Sequence, residues 1–334
     1  MPLRIAINGF GRIGRCIYRI AADHPDLEVV AVNDLTDAKN LAYLLKYDSV
    51  HRRFARDVST REGAIVVDGH EVKVLAVKEP ADLPWKTLEV DVVLECTGRF
   101  KMRADAAKHL AAGARKVIIS APADDPDLTV CLGVNEDRYD PKLHHVLSNA
   151  SCTTNCLAPA VRVLHETFGI ERALMTTVHS MTNDQSLLDL PHKKDFRRGR
   201  AAPLSMVPTT TGAAKAVELV LPELDGRLDG VSVRVPTPDV SLADIVANTT
   251  RPVSTESMLA ALRAAADGKL RGILRVSDEE LVSVDLVGDP HSAIVDAPFA
   301  MTLGDRMLKL LLWYDNEWGF STRMVELCRR VGAA

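Results

Sequence analysis

The sequence predicts an α/β protein in two parts. Residues 1–150 read as a doubly wound, mostly parallel sheet, and 151–315 as an α+β part whose sheet is mixed or antiparallel. Three observations predict this. Apolar strand-like runs alternate with helical stretches through the first half. A Gly-rich turn joins the first strand to the first helix. After a helix that opens at Cys152, the pattern changes to longer strand-like runs around one long polar segment. The 334 residues suffice for two domains of ordinary size.

Leu3–Asn8 reads as a buried parallel strand. Gly9-Phe10-Gly11-Arg12-Ile13-Gly14 follows, and Ile13, Ile17 and Ile20 then mark one helix face. A second strand spans Leu27–Asn33 and ends at Asp34, 20 residues after Gly14. Strand, glycine turn, helix, strand and acid in this order form a dinucleotide-binding fingerprint of Rossmann type. The glycines permit the tight turn and close approach of a pyrophosphate, which sits on the helix N-terminus. Asp34 can accept from ribose hydroxyls, and its charge repels a 2′-phosphate, so the expected cofactor is NAD. Further strands are expected at 64–67, 72–75, 90–95 and 116–120, with a helix over 102–112. Gly9, Gly11, Arg12, Ile13 and Asp34, with Lys78, Thr97 and Ser120, are the cofactor candidates of this half.

In Ser148-Asn149-Ala150-Ser151-Cys152-Thr153-Thr154-Asn155-Cys156, Ser151 is a plausible N-cap. Leu157, Val161, Leu164 and Phe168 recur behind it at helical spacing. A thiol in a first helical turn feels the positive end of the dipole and free amide N–H groups, which favour thiolate. Cys156, one turn on, reads as core; an oxidative bond to Cys152 is the strained alternative.

Residues 173–179 read as a strand ending in His179. The polar segment 180–206 carries Lys193, Lys194, Arg197, Arg198 and Arg200, and a loop of this length is functional or interfacial. Pro208–Lys215 reads as a helix start rich in hydroxyl and amide donors, suited to phosphate. Arg234 lies amid the apolar run 231–236 and needs an anionic partner. Strands are expected at 241–248, 281–286 and 308–314. The closing helix, 316–334, is expected to pack back on the first part.

Composition narrows the functional classes. The chain is 47% hydrophobic and 26% charged with net charge -4, which gives no support for nucleic acid or a membrane surface as partner. Its six cysteines are scattered, no Cys/His group has metal-ligand spacing, and a reducing cytoplasm is the expected setting. His51, His144, His145, His192 and His291 read as structural.

The run 7–15, the Cys152 segment, Thr211–Val217, Arg234–Pro238 and Trp313–Gly319 together resemble phosphorylating glyceraldehyde-3-phosphate dehydrogenases, in order and over essentially the whole chain. The resemblance implies oxidative phosphorylation of D-glyceraldehyde 3-phosphate to 1,3-bisphosphoglycerate with reduction of NAD, in a homotetramer. It makes Cys152 the nucleophile and His179 the base. It places inorganic phosphate at Ser151, Thr153, Thr211 and Gly212, and the C3 phosphate at Thr182 and Arg234. Arg200 lies near the phosphates, and Asn316 orients the nicotinamide carboxamide. Leu35, Leu190 and Pro191 look like the NAD-preferring form. Arg53 departs from the pattern, where glycine is expected. An erythrose-4-phosphate dehydrogenase and a non-catalytic NAD-binding regulator are the competing readings. The intact phosphate sites disfavour the first, and the complete set Cys152, His179, Arg234 and Asn316 disfavours the second.

Overall fold

The structure, a computed structural model, describes residues 1–193 and 195–333. It contains two compact units. One comprises Met1–Val130, Asp137–Ala150 and Ser321–Ala334, and the other Cys131–Glu136 and Ser151–Phe320. Lys194 and Ala334 lie outside the described residues.

The first unit holds β1 (Leu3–Asn8), β2 (Leu27–Asn33), β3 (Val58–Arg61), β4 (Ala64–Val67), β5 (His70–Leu75), β6 (Val92–Glu95), β7 (Lys116–Ile119), β8 (Leu128–Thr129) and β9 (Val146–Ser148). They form a nine-stranded sheet in the order β3-β4-β5-β2-β1-β6-β7-β9-β8. The pairings through β5, β2, β1, β6, β7, β9 and β8 are parallel, and only β3–β4 and β4–β5 are antiparallel. The end of β1 and all of β6 are buried, as strands covered on both faces must be. Helices α1 (Arg12–Ala21) and α2 (Ala38–Lys46) follow β1 and β2. Asp37 caps α2 by accepting from the Asn40 N–H at 3.0 Å. The helix expected over 102–112 forms as two short pieces, α3 (Arg103–Ala106) and α4 (Lys108–Ala111), broken at Ala107. Arg53 lies with its guanidinium 5.8 Å from the centroid of the Tyr47 ring.

The second unit carries β10 (Ile170–Ser180), β11 (Val207–Thr210), β12 (Leu228–Val235), β13 (Ser241–Thr249), β14 (Leu274–Ser277), β15 (Ala293–Asp296), β16 (Met301–Leu303) and β17 (Met307–Tyr314). The sheet order is β11-β12-β10-β13-β17-β15-β14, with β16 beside β17. It is mixed: β10 runs parallel to β12 and antiparallel to β13. Strands β13 and β17 alternate buried and half-buried residues along their length, the pattern of a sheet covered on one face. Helices α5 (Cys152–Phe168), α6 (Ala213–Val220) and α7 (Thr255–Asp267) belong to this unit. Leu157, Val161 and Leu164 of α5 share a core with Met175, Ile245, Leu310 and Leu312 of the sheet. Each such burial contributes about 1.5–3 kcal/mol. The last helix, α8 (Trp318–Gly332), counts with the first unit from Ser321 on, where Arg329 pairs with Asp26 at 2.6 Å.

The strand expected at 281–286 does not form. Ser283–Leu286 is a 3-10 turn, because the Asp285 carboxylate accepts the Val282 N–H at 2.9 Å and closes the chain on itself.

Candidate active site

In the first unit a cavity of about 610 Å³ opens beside the glycine turn. It is lined by Gly9, Gly11, Asp34, Lys78 and Thr97 of the expected set, and also by Asn8, Asn33, Leu35 and Cys96. Gly9 has φ +92°, and a Cβ there would lie 2.6 Å from the Thr97 nitrogen, so β1 and the end of β6 approach only with glycine. A Cβ at Gly11 would meet nothing within 4 Å. The fold does not require glycine at that position, whereas a ligand approaching the backbone does. Arg12 and Ile13 open α1 after Gly11, with no side-chain cap and no acid in the first turn, which leaves the helix end to an anion. The Arg12 side chain itself pairs with Asp48. Asp34 accepts the Phe10 N–H at 2.9 Å and holds its carboxylate at the cavity wall. Ser120 does not line the cavity; its hydroxyl bonds to the Cys96 thiol, which burial pushes up to about 12. These features fit a dinucleotide.

A buried polar chain supports this wall. The Trp85 indole N–H donates to Nδ1 of His109 at 2.9 Å, which places the ring proton on Nε2, facing Glu95 Oε2 at 3.1 Å. Glu95 also accepts from the Asn8 amide at 2.5 Å, the Thr97 N–H at 2.8 Å and the Thr97 hydroxyl. The Asn33 amide donates to Asn8 at 2.7 Å and so joins the end of β2 to that of β1.

In the second unit Ser151 caps α5 as expected, its hydroxyl accepting the Thr154 N–H at 3.0 Å. Ala150, just before it, takes φ +55° and turns the chain into the helix. Cys152 is the first helical residue and half-buried. Its sulfur lies 3.5 Å from Nε2 of His179. The register of β10 on β12 places His179 opposite Arg234, whose Nη1 lies 2.6 Å from His179 Nδ1. The Tyr314 hydroxyl bridges Thr153 at 2.9 Å and Thr177 at 2.8 Å, tying the first turn of α5 to β17 and β10. Ser241 pairs with Tyr314 across β13 and β17. Nearby, Asn316 Oδ1 accepts from the Ser180 and Ser241 hydroxyls at 2.9 and 2.7 Å, leaving its NH₂ group to donate.

Electrostatics refine the expectation for the thiol. Desolvation by the dense protein around the sulfur raises the Cys152 pKa, while Arg234, the Thr153 hydroxyl and the backbone N–H groups of Thr153 and Cys152 pull it down. Burial wins in the protein without ligand, contrary to what the helix dipole alone suggests. Burial and then Arg234 push His179 down to about 3, so its ring is neutral at pH 7.

The matches to known proteins agree with this geometry. A family model described as glyceraldehyde 3-phosphate dehydrogenase, NAD binding domain, matches residues 3–103. The C-terminal domain model of the same family matches residues 151–316. A glyceraldehyde-3-phosphate dehydrogenase of Geobacillus stearothermophilus is 58% identical over 333 residues, covering 100% of this chain and 99% of the relative. Glyceraldehyde-3-phosphate dehydrogenase 1 of Bacillus subtilis is 56% identical, with 98% and 97% covered. Glyceraldehyde-3-phosphate dehydrogenase 2 of Streptomyces avermitilis is 52% identical, with 99% of each covered. The chain belongs to the glyceraldehyde-3-phosphate dehydrogenase family. It is an NAD-dependent oxidoreductase.

For a member of this family, the placing of the other polar candidates is informative. Thr211 accepts the Ala213 N–H at 3.1 Å, and Gly212 is the N-cap position of α6, which packs on α5. The Thr182 hydroxyl bonds Asp184. Arg200 is turned away, exposed and paired with Asp189 at 3.0 Å. Arg198, which sequence reasoning placed only in a basic cluster, is the inward arginine. It reaches Asp184 at 2.7 Å, the Thr209 hydroxyl at 2.9 Å and the Thr210 carbonyl at 3.2 Å. Asp184, Glu95, His109 and Tyr314 were also missed; nothing short of tertiary contact distinguishes them.

Proposed function

We propose that this chain carries out its family's reaction, the NAD-dependent oxidative phosphorylation of glyceraldehyde 3-phosphate to 1,3-bisphosphoglycerate, through a thioester on Cys152. The contact between Cys152 and His179 carries this reading. An aldehyde hydrate would be oxidised to a carboxylate, which is too stable to take phosphate. The Cys152 sulfur instead adds to the aldehyde carbon; its thiol proton passes to His179 and on to the aldehyde oxygen, which completes a hemithioacetal and leaves the base free again. His179 Nε2, once free, accepts the hemithioacetal hydroxyl proton as hydride leaves the carbon. The bound nicotinamide supplies the hydride acceptor. Phosphate oxygen then attacks the thioester carbonyl, the C–S bond breaks, and the product departs as an acyl phosphate with Cys152 regenerated. The Cys152 backbone N–H is suited to the oxyanion of both additions.

In this reading Gly9, Gly11, Arg12, Ile13, Asp34, Lys78, Thr97 and Asn316 serve NAD, with Arg12 and Ile13 acting through their backbone and Ser120 standing behind Cys96 of the cavity wall. Thr182 and Arg234 take the C3 phosphate. The buried Nε of Arg234 has no hydrogen-bond partner, which suits a guanidinium that awaits an anion. Ser151, Thr153, Thr211 and Gly212 take inorganic phosphate, and Arg198 is better directed than Arg200 to join them. The first unit then acts as the cofactor domain and the second as the catalytic and oligomerisation domain. A homotetramer is supported by apolar residues on the uncovered sheet face, Leu174 and Val231, and by exposed Leu187, Leu188, Phe196, Leu204 and Met206 around the 181–206 loop. A glycolytic role in the cytoplasm accords with six cysteines that form no disulfide. No helix among the described residues is long and apolar enough to cross a membrane.

The test is phosphate dependence. NAD reduction with glyceraldehyde 3-phosphate is expected to require phosphate or arsenate for turnover; equal rates without either would overturn the reading.

A further inference from the structure

Two buried hydroxyls converge on one atom of Asn316. Ser180 ends β10 and Ser241 opens β13, and both are shut off from solvent, at 0% and 1% exposure. Their hydroxyls donate to Asn316 Oδ1 at 2.9 and 2.7 Å. The Ser180 N–H in turn reaches the Ser241 hydroxyl oxygen at 3.1 Å. A backbone N–H only donates, so Ser241 accepts there and keeps its own proton for Asn316. The backbone that carries Asn316 is held separately. The Asp315 carboxylate accepts the N–H groups of Gly288, Glu317 and Trp318 at 2.7, 2.9 and 2.6 Å.

A side-chain amide has two ends of nearly equal shape, one accepting and one donating, and its neighbours decide which way it turns. Rotated by half a turn, Asn316 would set its NH₂ group against both serines. Two buried hydroxyl protons would then face donors and lose their acceptor, which a dry interior penalises. Ser180 and Ser241 therefore hold Oδ1 toward themselves. The NH₂ group, which bonds nothing among the described residues, is what Asn316 offers a ligand. Two donors on Oδ1 also polarise the amide and strengthen that N–H.

We propose that Ser180 and Ser241 are positioning residues acting through Asn316. They fix its amide as a donor, so that bound NAD is held by the carbonyl oxygen of its nicotinamide carboxamide and not by the NH₂ group. The carboxamide carries both groups, and an unrestrained asparagine would match it either way. The two serines remove that choice. This rests on the reading of Asn316 as the carboxamide residue.

The experiment is calorimetric titration of the intact protein with NAD and with its acetylpyridine analogue. The analogue keeps the carbonyl and has a methyl group in place of the NH₂. Against a fixed donor the two should bind alike, with parental Kd values within about fivefold of each other. Ser241→Ala is the first variant, because Ser180 also carries the carbonyl beside His179. With one tether gone, part of the population presents Oδ1, which the NAD carboxamide satisfies and the analogue does not. The Kd of the analogue should rise roughly three- to tenfold more than that of NAD. Ser180→Ala should move the ratio in the same direction. A loss shared equally by the two cofactors in both variants, as a packing role would give, overturns the proposal, and so does no loss. A parental Kd for the analogue beyond about fivefold that for NAD also overturns it, and needs no variant. Asn316→Ala tests the assignment beneath. It should weaken both cofactors equally and abolish the discrimination added by Ser241→Ala. If it binds both as tightly as the parent, Asn316 is not the carboxamide residue. If it weakens both while the ratio in Ser241→Ala stays parental, only the role of the serines falls.

Discussion

The sulfur of Cys152 lies 3.5 Å from Nε2 of His179, although the two residues stand 27 positions apart, one opening a helix and the other near the end of a strand. Covalent chemistry follows from that contact. Cys152→Ser leaves the first turn of α5 and its Ser151 cap in place but replaces the thiol with a far weaker nucleophile. NAD reduction with glyceraldehyde 3-phosphate should fall on the order of 1,000-fold or more, with NAD affinity within about twofold of the parent. Turnover near the parental rate would remove Cys152 from the mechanism.

His179 links activity to acid stability. In an unfolded chain a histidine binds its proton near pH 6.5, whereas burial and Arg234 lower this one to about 3. Between those values the unfolded state holds the extra proton, so this residue's contribution to stability rises with pH and is lost as pH falls below about 6.5. His179→Asn removes that dependence. Between pH 7 and pH 5 the parent should lose up to about 2 kcal/mol more stability than the variant in urea titrations. The variant should also turn over about 100- to 10,000-fold more slowly. Parallel stability curves for the two proteins would contradict the buried neutral ring.

Cofactor choice is expected to turn on Asp34. Its carboxylate accepts the Phe10 N–H at 2.9 Å and lines the cavity. Asp34→Asn keeps an acceptor for that bond and removes the charge that repels a 2′-phosphate. The NADP-to-NAD ratio of kcat/KM should rise roughly tenfold, equivalent to about 1.4 kcal/mol. An unchanged ratio, measured with both cofactors side by side, would place the discrimination elsewhere.

Two of these residues stand in local patterns: Asp34 ends a strand at a fixed offset from a glycine turn, and Cys152 follows a cap. His179 ends an apolar run, which by itself reads as structural, and only the resemblance singled it out as a base. The mixed second sheet and the mostly parallel first one were legible through their periodicity. Arginine placement in the 181–206 loop was not. Arg198 and Arg200 are two residues apart in a stretch without a period, and a 3-10 turn at Phe196–Gly199 decides which points inward. Leu281–Leu286 looked like a strand because apolar residues recur there, but Val282 and Val284 are exposed and the Asp285 side chain closes a turn. The acid-base balance of Cys152 also escaped the sequence: a dipole is local, whereas desolvation depends on everything packed around the sulfur.

Glu95 shows the same limit from the other side, since nothing near it in sequence marks a carboxylate that gathers Asn8, Thr97 and His109. Three of the four contacts these residues make present N–H groups and the fourth a hydroxyl, so only an acceptor at both oxygens satisfies them. Glu95→Gln puts an NH₂ group against donors. Whichever way the amide turns, at least one buried N–H is left without an acceptor, at about 1–3 kcal/mol. Asn8 and Thr97 line the cavity, so the loss should reach the cofactor as well as the fold. The variant should melt lower, and its Kd for NAD should rise by roughly three- to tenfold, while the alkylation rate of Cys152 in the absence of NAD stays close to that of the parent. A variant that melts lower but binds NAD with undiminished affinity would reduce Glu95 to a core residue with no hold on the cofactor wall.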